Sequence, residues 1–237
     1  MLNNDYSLPY GIGFQDPAND AMLALIDLHD NIIFYLIILF VLIIWLYISA
    51  LNNRKDHLAY LEHGNLIEVI WTITPAVVLW AIGIPSLKLL YMMDEIIDPE
   101  LTVKAIGSQW FWSYEYSDYS NNIAFDSYLI GSDELTEGQF RQLDVDLPLV
   151  LPINTSIRLL VSSNDVIHSY AIPSLAIKCD ALPGRINSIG LTISRPSIFY
   201  GQCSELCGVM HAFMPCVIKA VNLPEFINFV RTSLDEA

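Results

Sequence analysis

The chain has 237 residues, enough for one or two domains, and 54% of them are hydrophobic. Its formal net charge is −15, from 26 acidic and 11 basic side chains, and its mean hydropathy is +0.44. That hydropathy is too high for an average soluble protein, and the acid excess argues against binding nucleic acid.

Residues 1–31 hold no lysine or arginine but carry Asp5, Asp16, Asp20, Asp27 and Asp30. A secretory leader would begin basic and a mitochondrial transit peptide would be Arg-rich, so neither is expected, and the first span is expected to stay as an anchor. Residues 32–50, IIFYLIILFVLIIWLYISA, contain no charge. At about 1.5 Å per residue such a helix is roughly 28 Å long, close to the hydrocarbon thickness of a bilayer. A second apolar run covers 69–93, interrupted by Pro75, Pro85 and Lys88. Spanning helices tolerate proline, and a lysine near one end can reach the headgroups. The pattern predicts a tail and transmembrane hairpin over 1–93, and an external domain over 94–237. Between the spans lie Arg54 and Lys55, which by the positive-inside rule put that loop inside and both chain ends outside.

From residue 94 onward there are eighteen acidic and eight basic side chains, a balance that suits a basic protein partner steered by charge. Strand-length runs rich in β-branched and aromatic residues follow: 101–107, 110–116, 149–153, 156–163, 166–172, 186–194, 197–202 and 216–221. Turn residues separate them, which predicts a Greek-key sandwich or barrel. Residues 126–146 read as an acidic excursion between strands. A short terminal helix is expected from Pro224, with Phe226, Phe229 and Val230 on its apolar face.

Residues 203–214, CSELCGVMHAFM, gather two thiols, an imidazole and a thioether. A Cys203–Cys207 disulfide would close a small loop, add little stability and leave His211 and Met214 unexplained. A zinc site from Cys203, Cys207, His211 and the upstream His168 would leave Met214 idle. A blue-copper site uses two imidazoles, one thiolate and an axial methionine on a β-sandwich, but here there are two thiolates. Two thiolates can instead bridge two metals, each taking one imidazole, with a thioether and a carbonyl as weak axial donors. Cys216 and Cys179 read as small buried hydrophobes.

GQCSELCGVMHAFMP with His168 upstream resembles the dinuclear copper A motif of cytochrome c oxidase subunit II. The resemblance extends to IDLHDNIIFYL, IEVIWTITPA, LLYMMDE, KAIGSQWFWSYEYSDY and HSYAIPSLAIKCDALPGRINS, and so to essentially the whole chain. It implies a two-helix transmembrane hairpin carrying an all-β, cupredoxin-like Greek-key sandwich as external domain. It also implies a mitochondrial inner-membrane subunit, with both termini and the copper domain in the intermembrane space. By the same resemblance Cys203 and Cys207 bridge two coppers, with His168, His211, Met214 and the backbone carbonyl of Glu205 as further ligands. The Glu205 side chain then faces a magnesium ion shared with subunit I, and Asp180 matches a nearby acid of that site.

The alternating Trp110, Trp112, Tyr114 and Tyr116 suit one buried strand face. Resemblance singles out Trp110 as the point where electrons arrive from cytochrome c. Glu68, at the inner start of the second span, fits a helix N-terminus through the dipole, and by resemblance the entrance of a proton path into subunit I. Glu115, Asp118, Asp126 and Asp165 are candidates for docking cytochrome c. The implied function is electron transfer from cytochrome c to haem in subunit I, where oxygen is reduced to water with proton translocation. The alternative is the copper A subunit of a nitrous oxide or nitric oxide reductase.

Overall fold

The computed structural model describes residues 3–52, 63–119 and 123–236. They form two compact units, one of residues 24–92 and the other of residues 1–23 together with 93–237.

The first unit consists of most of α1 (Asp20–Asn52) and all but the end of α2 (Asn65–Asp94). Both helices are long and apolar enough to cross a membrane, and none of either apolar window is buried within the protein. Large side chains such as Phe40, Trp45, Trp71 and Trp80 are more than half exposed, a surface that only lipid or a protein partner can cover. Each helix outlasts its predicted span. α1 starts twelve residues before the uncharged run because Asn19 caps it, its Oδ1 accepting from the Met22 N–H at 2.8 Å. Pro75 and Pro85 lie inside α2. Arg54 and Lys55, on which the predicted orientation rests, lie outside the described residues.

The second unit is a β-sandwich. One sheet has the order β4 (Ile123–Ser127), β3 (Phe111–Tyr116), β2 (Leu101–Ser108), β6 (Ile157–Ser163), β9 (Asn187–Leu191). The other has β1 (Asn3–Asp5), β10 (Ser197–Gln202), β11 (Pro215–Val221) and β5 (Leu149–Pro152). A two-stranded ribbon joins β7 (His168–Ile172) to β8 (Ile177–Ala181). Three of the pairings are parallel: β1 with β10, β11 with β5, and β2 with β6. Strict alternation in β2, β3 and β6 sends Val103, Ala105, Trp112, Tyr114, Tyr116, Leu159 and Val161 into the core, all fully buried. Phe199, Leu149, Leu151 and Ile218 meet them from the other sheet. The terminal helix α3 (Leu223–Glu236) lays Phe226, Phe229 and Val230 on this core.

Among the described residues the eight predicted strands are present, and three more were not anticipated. β1 is a polar edge triplet, NND; β8, IKCDA, exposes Lys178 and Asp180; β4 sits against the acidic stretch and exposes Ala124 and Asp126. Their edge or half-solvated positions leave them without the dense apolar pattern that marks a central strand. The excursion after β4 is packed down: Phe140, Leu143 and Val145 join Tyr6, Ile198, Tyr200 and Val217 in a small second core. Residues before α1 also belong to the β unit. Ala18 is fully buried, donates to the Ser174 carbonyl and accepts from the Ser194 N–H.

Candidate metal centre

β10 and β11 pair antiparallel, and the loop of residues 203–214 joins Gln202 to Pro215 at their end. The loop closes on itself, the Cys203 N–H donating to the Met214 carbonyl at 3.4 Å. A turn of 3-10 helix, His211–Phe213, sets His211 and Met214 toward the cysteines. From the ribbon, the Ser169 carbonyl accepts from the Ser204 N–H at 3.0 Å, which brings His168 alongside.

Six donor groups converge. The two thiol sulfurs are 3.9 Å apart, well beyond the 2.03–2.05 Å of a disulfide, and both cysteines are free. Cys203 Sγ lies 3.4 Å from the Glu205 carbonyl oxygen and 4.0 Å from His168 Nδ1. Cys207 Sγ lies 3.4 Å from both His211 Nδ1 and Met214 Sδ. His168, Cys203, Cys207 and Met214 are buried, and His211 is half-buried. His168 and the Glu205 carbonyl therefore lie beside Cys203, and His211 and Met214 beside Cys207. Two soft sulfurs between two imidazoles, with a thioether beside them, suit copper better than zinc.

The surroundings lower the proton affinity of one sulfur and raise that of the other. Burial opposes ionisation of Cys203, but hydrogen bonds from His168, from the Glu205 and Ser169 backbone and from His211 outweigh it and bring the thiol down to about 7. Burial and the adjacent Cys203 push Cys207 up to about 12. Burial would depress His168, yet its bonds to Cys203 and Asp165 raise it above the ordinary imidazole range.

Asp165 supports the site. Its Oδ1 is 2.8 Å from His168 Nε2, the nitrogen opposite the one facing Cys203. The same carboxylate accepts from the backbone N–H of Val166 at 2.6 Å and of Gln109 at 2.7 Å. The Gln109 side chain donates to the Cys207 carbonyl at 2.9 Å. Two glycines make room for these contacts. A Cβ on Gly107 would come 2.9 Å from the His168 ring, and one on Gly208, whose φ is +125°, would come 3.1 Å from Trp110 Cζ2.

The profile described as cytochrome c oxidase subunit II, periplasmic domain, matches residues 101–221, and that for the transmembrane domain of the same subunit matches residues 7–89. The chain belongs to the cytochrome c oxidase subunit II family. It is 53% identical to cytochrome c oxidase subunit 2 of Metridium senile, over 98% of this chain and 94% of the relative. The crystal structure of the periplasmic domain of subunit II (CoxB) of Bradyrhizobium japonicum superposes with a TM-score of 0.55 at 42% identity, covering 60% of this chain and 99% of that one. A second structure, 39% identical with a TM-score of 0.53, covers 60% of this chain and 96% of its own. It is a mixed disulfide intermediate between thioredoxin-like TlpAs and subunit II of cytochrome c oxidase. As a subunit II, the chain is part of an oxidoreductase complex, with two membrane-spanning helices and a cupredoxin-like β-sandwich.

The other predicted site residues are spread out. Trp110 leaves the strand face of its neighbours, lies half-buried against Gly208, and has its indole N–H buried without a hydrogen-bond partner. Trp112 stays in the core, edge-on to His168 with ring centroids 6.0 Å apart. Glu205 and Asp180 are both exposed. Glu68 is exposed in the first turn of α2. Glu115 pairs with Lys104 at 2.9 Å, Asp126 accepts from the Ser113 hydroxyl at 2.6 Å, and Asp118 accepts from the Thr102 N–H at 2.5 Å. Cys216 is fully buried as expected, whereas Cys179 is only half-buried because β8 lies toward solvent. Sequence reasoning missed Gln109 and Gly107, and the bond of Asp165 to His168. The only available hint was the three-residue spacing of Asp165 from His168.

Proposed function

We propose that this chain accepts electrons one at a time from cytochrome c on a dinuclear copper A centre and passes them to haem in subunit I. There oxygen is reduced to water with proton translocation. The observation that carries this reading is the convergence of six donor groups, each within 4.0 Å of one of two unpaired thiol sulfurs. When bound, the copper pair supplies a one-electron couple spread over two metals, so little atomic movement accompanies each transfer.

Cys203 and Cys207 would bridge the pair, and His168, His211, Met214 and the Glu205 carbonyl would complete it. With its carbonyl so used, Glu205 has a free carboxylate, which with Asp180 suits a hard cation such as magnesium at the boundary with subunit I. Trp110, whose indole rests on the residue after Cys207, receives the electron from cytochrome c. Glu115, Asp118, Asp126 and Asp165 supply negative charge for docking that basic partner. Glu68 stands at the inner end of the second span as a proton-path entrance. Residues 1–93, of which 1–23 pack with the sandwich, form the tail and anchor and 94–237 the copper domain, in the mitochondrial inner membrane with both termini and that domain in the intermembrane space. The mixed disulfide formed by a relative supports a further step here: a thioredoxin-like partner keeps Cys203 and Cys207 as the dithiol that copper loading needs.

Metal analysis and electron spin resonance of the purified oxidase test this reading. Two coppers bound by this subunit, sharing one unpaired spin, are expected. A single zinc, or a Cys203–Cys207 disulfide in the working complex, overturns it.

A further inference from the structure

The helix pair holds a cavity of about 240 Å³, lined by Ala24, Asp27, Leu28 and Asn31 of α1 and by Pro85, Lys88, Leu89 and Met92 of α2. Both sets follow the spacing i, i+3, i+4, i+7, so each is one continuous helix face. The floor is apolar, while three polar groups, Asp27, Asn31 and Lys88, share the lining. Asn31 immediately precedes the uncharged run of 32–50. The cavity therefore stands where hydrocarbon gives way to headgroups, at the end of the hairpin from which the chain continues to β2.

Lys88 and Asp27 line the same cavity, yet they do not form one of the ion pairs found among the described residues. A cation at the edge of a bilayer calls for an anionic partner, and an acid there for a cationic one. The space is smaller than the ≈ 300–1,000 Å³ of ordinary small-molecule sites, large enough for a headgroup but not for a whole lipid. We propose that this cavity binds the headgroup of a zwitterionic, amine-bearing phospholipid of the phosphatidylethanolamine type. Lys88 takes the phosphate, and the primary ammonium donates to the Asp27 carboxylate and the Asn31 side-chain oxygen. The acyl chains run down the exposed apolar surface below. A purely anionic headgroup would satisfy Lys88 but bring no cation to offset the Asp27 carboxylate. A choline headgroup has no N–H to give Asp27 or Asn31.

The test is native mass spectrometry of the whole oxidase, purified in mild detergent and exchanged into phosphatidylethanolamine, phosphatidylcholine or phosphatidylglycerol. One phosphatidylethanolamine per complex should survive delipidation in the wild type and be lost in Lys88→Met and in Asp27→Asn, with subunit composition unchanged. If either variant fails to assemble, a headgroup-photoreactive phosphatidylethanolamine on the wild-type complex decides instead. Crosslinks within residues 24–31 and 85–92, competed by phosphatidylethanolamine but not by the other two lipids, are expected. Equal competition by phosphatidylglycerol, retention of the lipid in both variants, or no crosslink because another subunit covers the cavity, each overturns the proposal.

Discussion

His168 presents one ring nitrogen to Cys203 and gives the other to Asp165, 2.8 Å away. A carboxylate on the far side of a ligand imidazole fixes its tautomer and ring orientation and raises its basicity. Loss of such a partner typically costs 10–100-fold in metal affinity. In Asp165→Asn, copper retention against a chelator should fall by about that factor. If Asp165 acts only as a surface charge, copper retention will be unchanged and only the salt dependence of cytochrome c docking will move.

On the proposed reading the two thiols and the thioether have unequal roles. Cys203→Ser or Cys207→Ser removes a bridging sulfur, and the spin shared between two coppers should disappear. Met214→Leu keeps the volume and apolarity of a side chain that is only 2% exposed. It should retain both coppers and the fold while shifting the midpoint potential, since only a weak donor is lost. Loss of copper from Met214→Leu would show that the thioether is a principal ligand.

Gly208 lies between the copper loop and Trp110. An alanine there meets the indole at 3.1 Å and must also hold φ near +125°, a strain on the order of 1–3 kcal/mol. Gly208→Ala should keep copper but slow reduction by cytochrome c, as should Trp110→Phe, because both disturb the same contact. Stopped-flow reduction of the copper centre reads this directly. Undiminished rates in both variants would place electron arrival elsewhere.

Much of this was legible in the sequence where a single physical constraint dominates. The apolar run of 32–50 has to meet lipid, and the alternation in β2, β3 and β6 has to meet a core. The clustered sulfurs of 203–214, which suit a soft metal, have to come together once β10 and β11 pair. Contacts between distant segments were not legible. Asp165 looks like any solvated acid until β2 and β6 run side by side and bring Gln109 to its carboxylate. Likewise Ala18, in a tail with no strand or helix pattern, is buried because Ser174 and Ser194 bracket its backbone.

Tyr116 shows what that core contributes to stability. Its hydroxyl donates to the Val150 carbonyl at 2.7 Å and accepts from the Val150 N–H at 3.1 Å, tying β3 to β5 across the sandwich. Tyr116→Phe leaves both backbone groups buried without that partner, at about 1–3 kcal/mol. Tyr114→Phe removes only a 3.3 Å contact with Tyr170 and should cost less. Denaturant unfolding of the two variants gives the ordering. The reverse order would mean that Val150 recovers a partner on mutation.

Docking charge can be tested by removing a cation. Lys104 neutralises Glu115 across β2 and β3 at 2.9 Å, and both side chains are 37% exposed, so the pair contributes little to stability. Lys104→Met leaves Glu115 unpaired on the face that also carries Asp126. A basic partner steered to that face should then associate faster at low salt, with a steeper fall as ionic strength rises. Lys178→Met, on the exposed side of β8, changes the net charge equally and serves as the control. Equal acceleration by the two variants would mean that only total charge matters. Faster association with Lys104→Met alone places the cytochrome c footprint over Glu115.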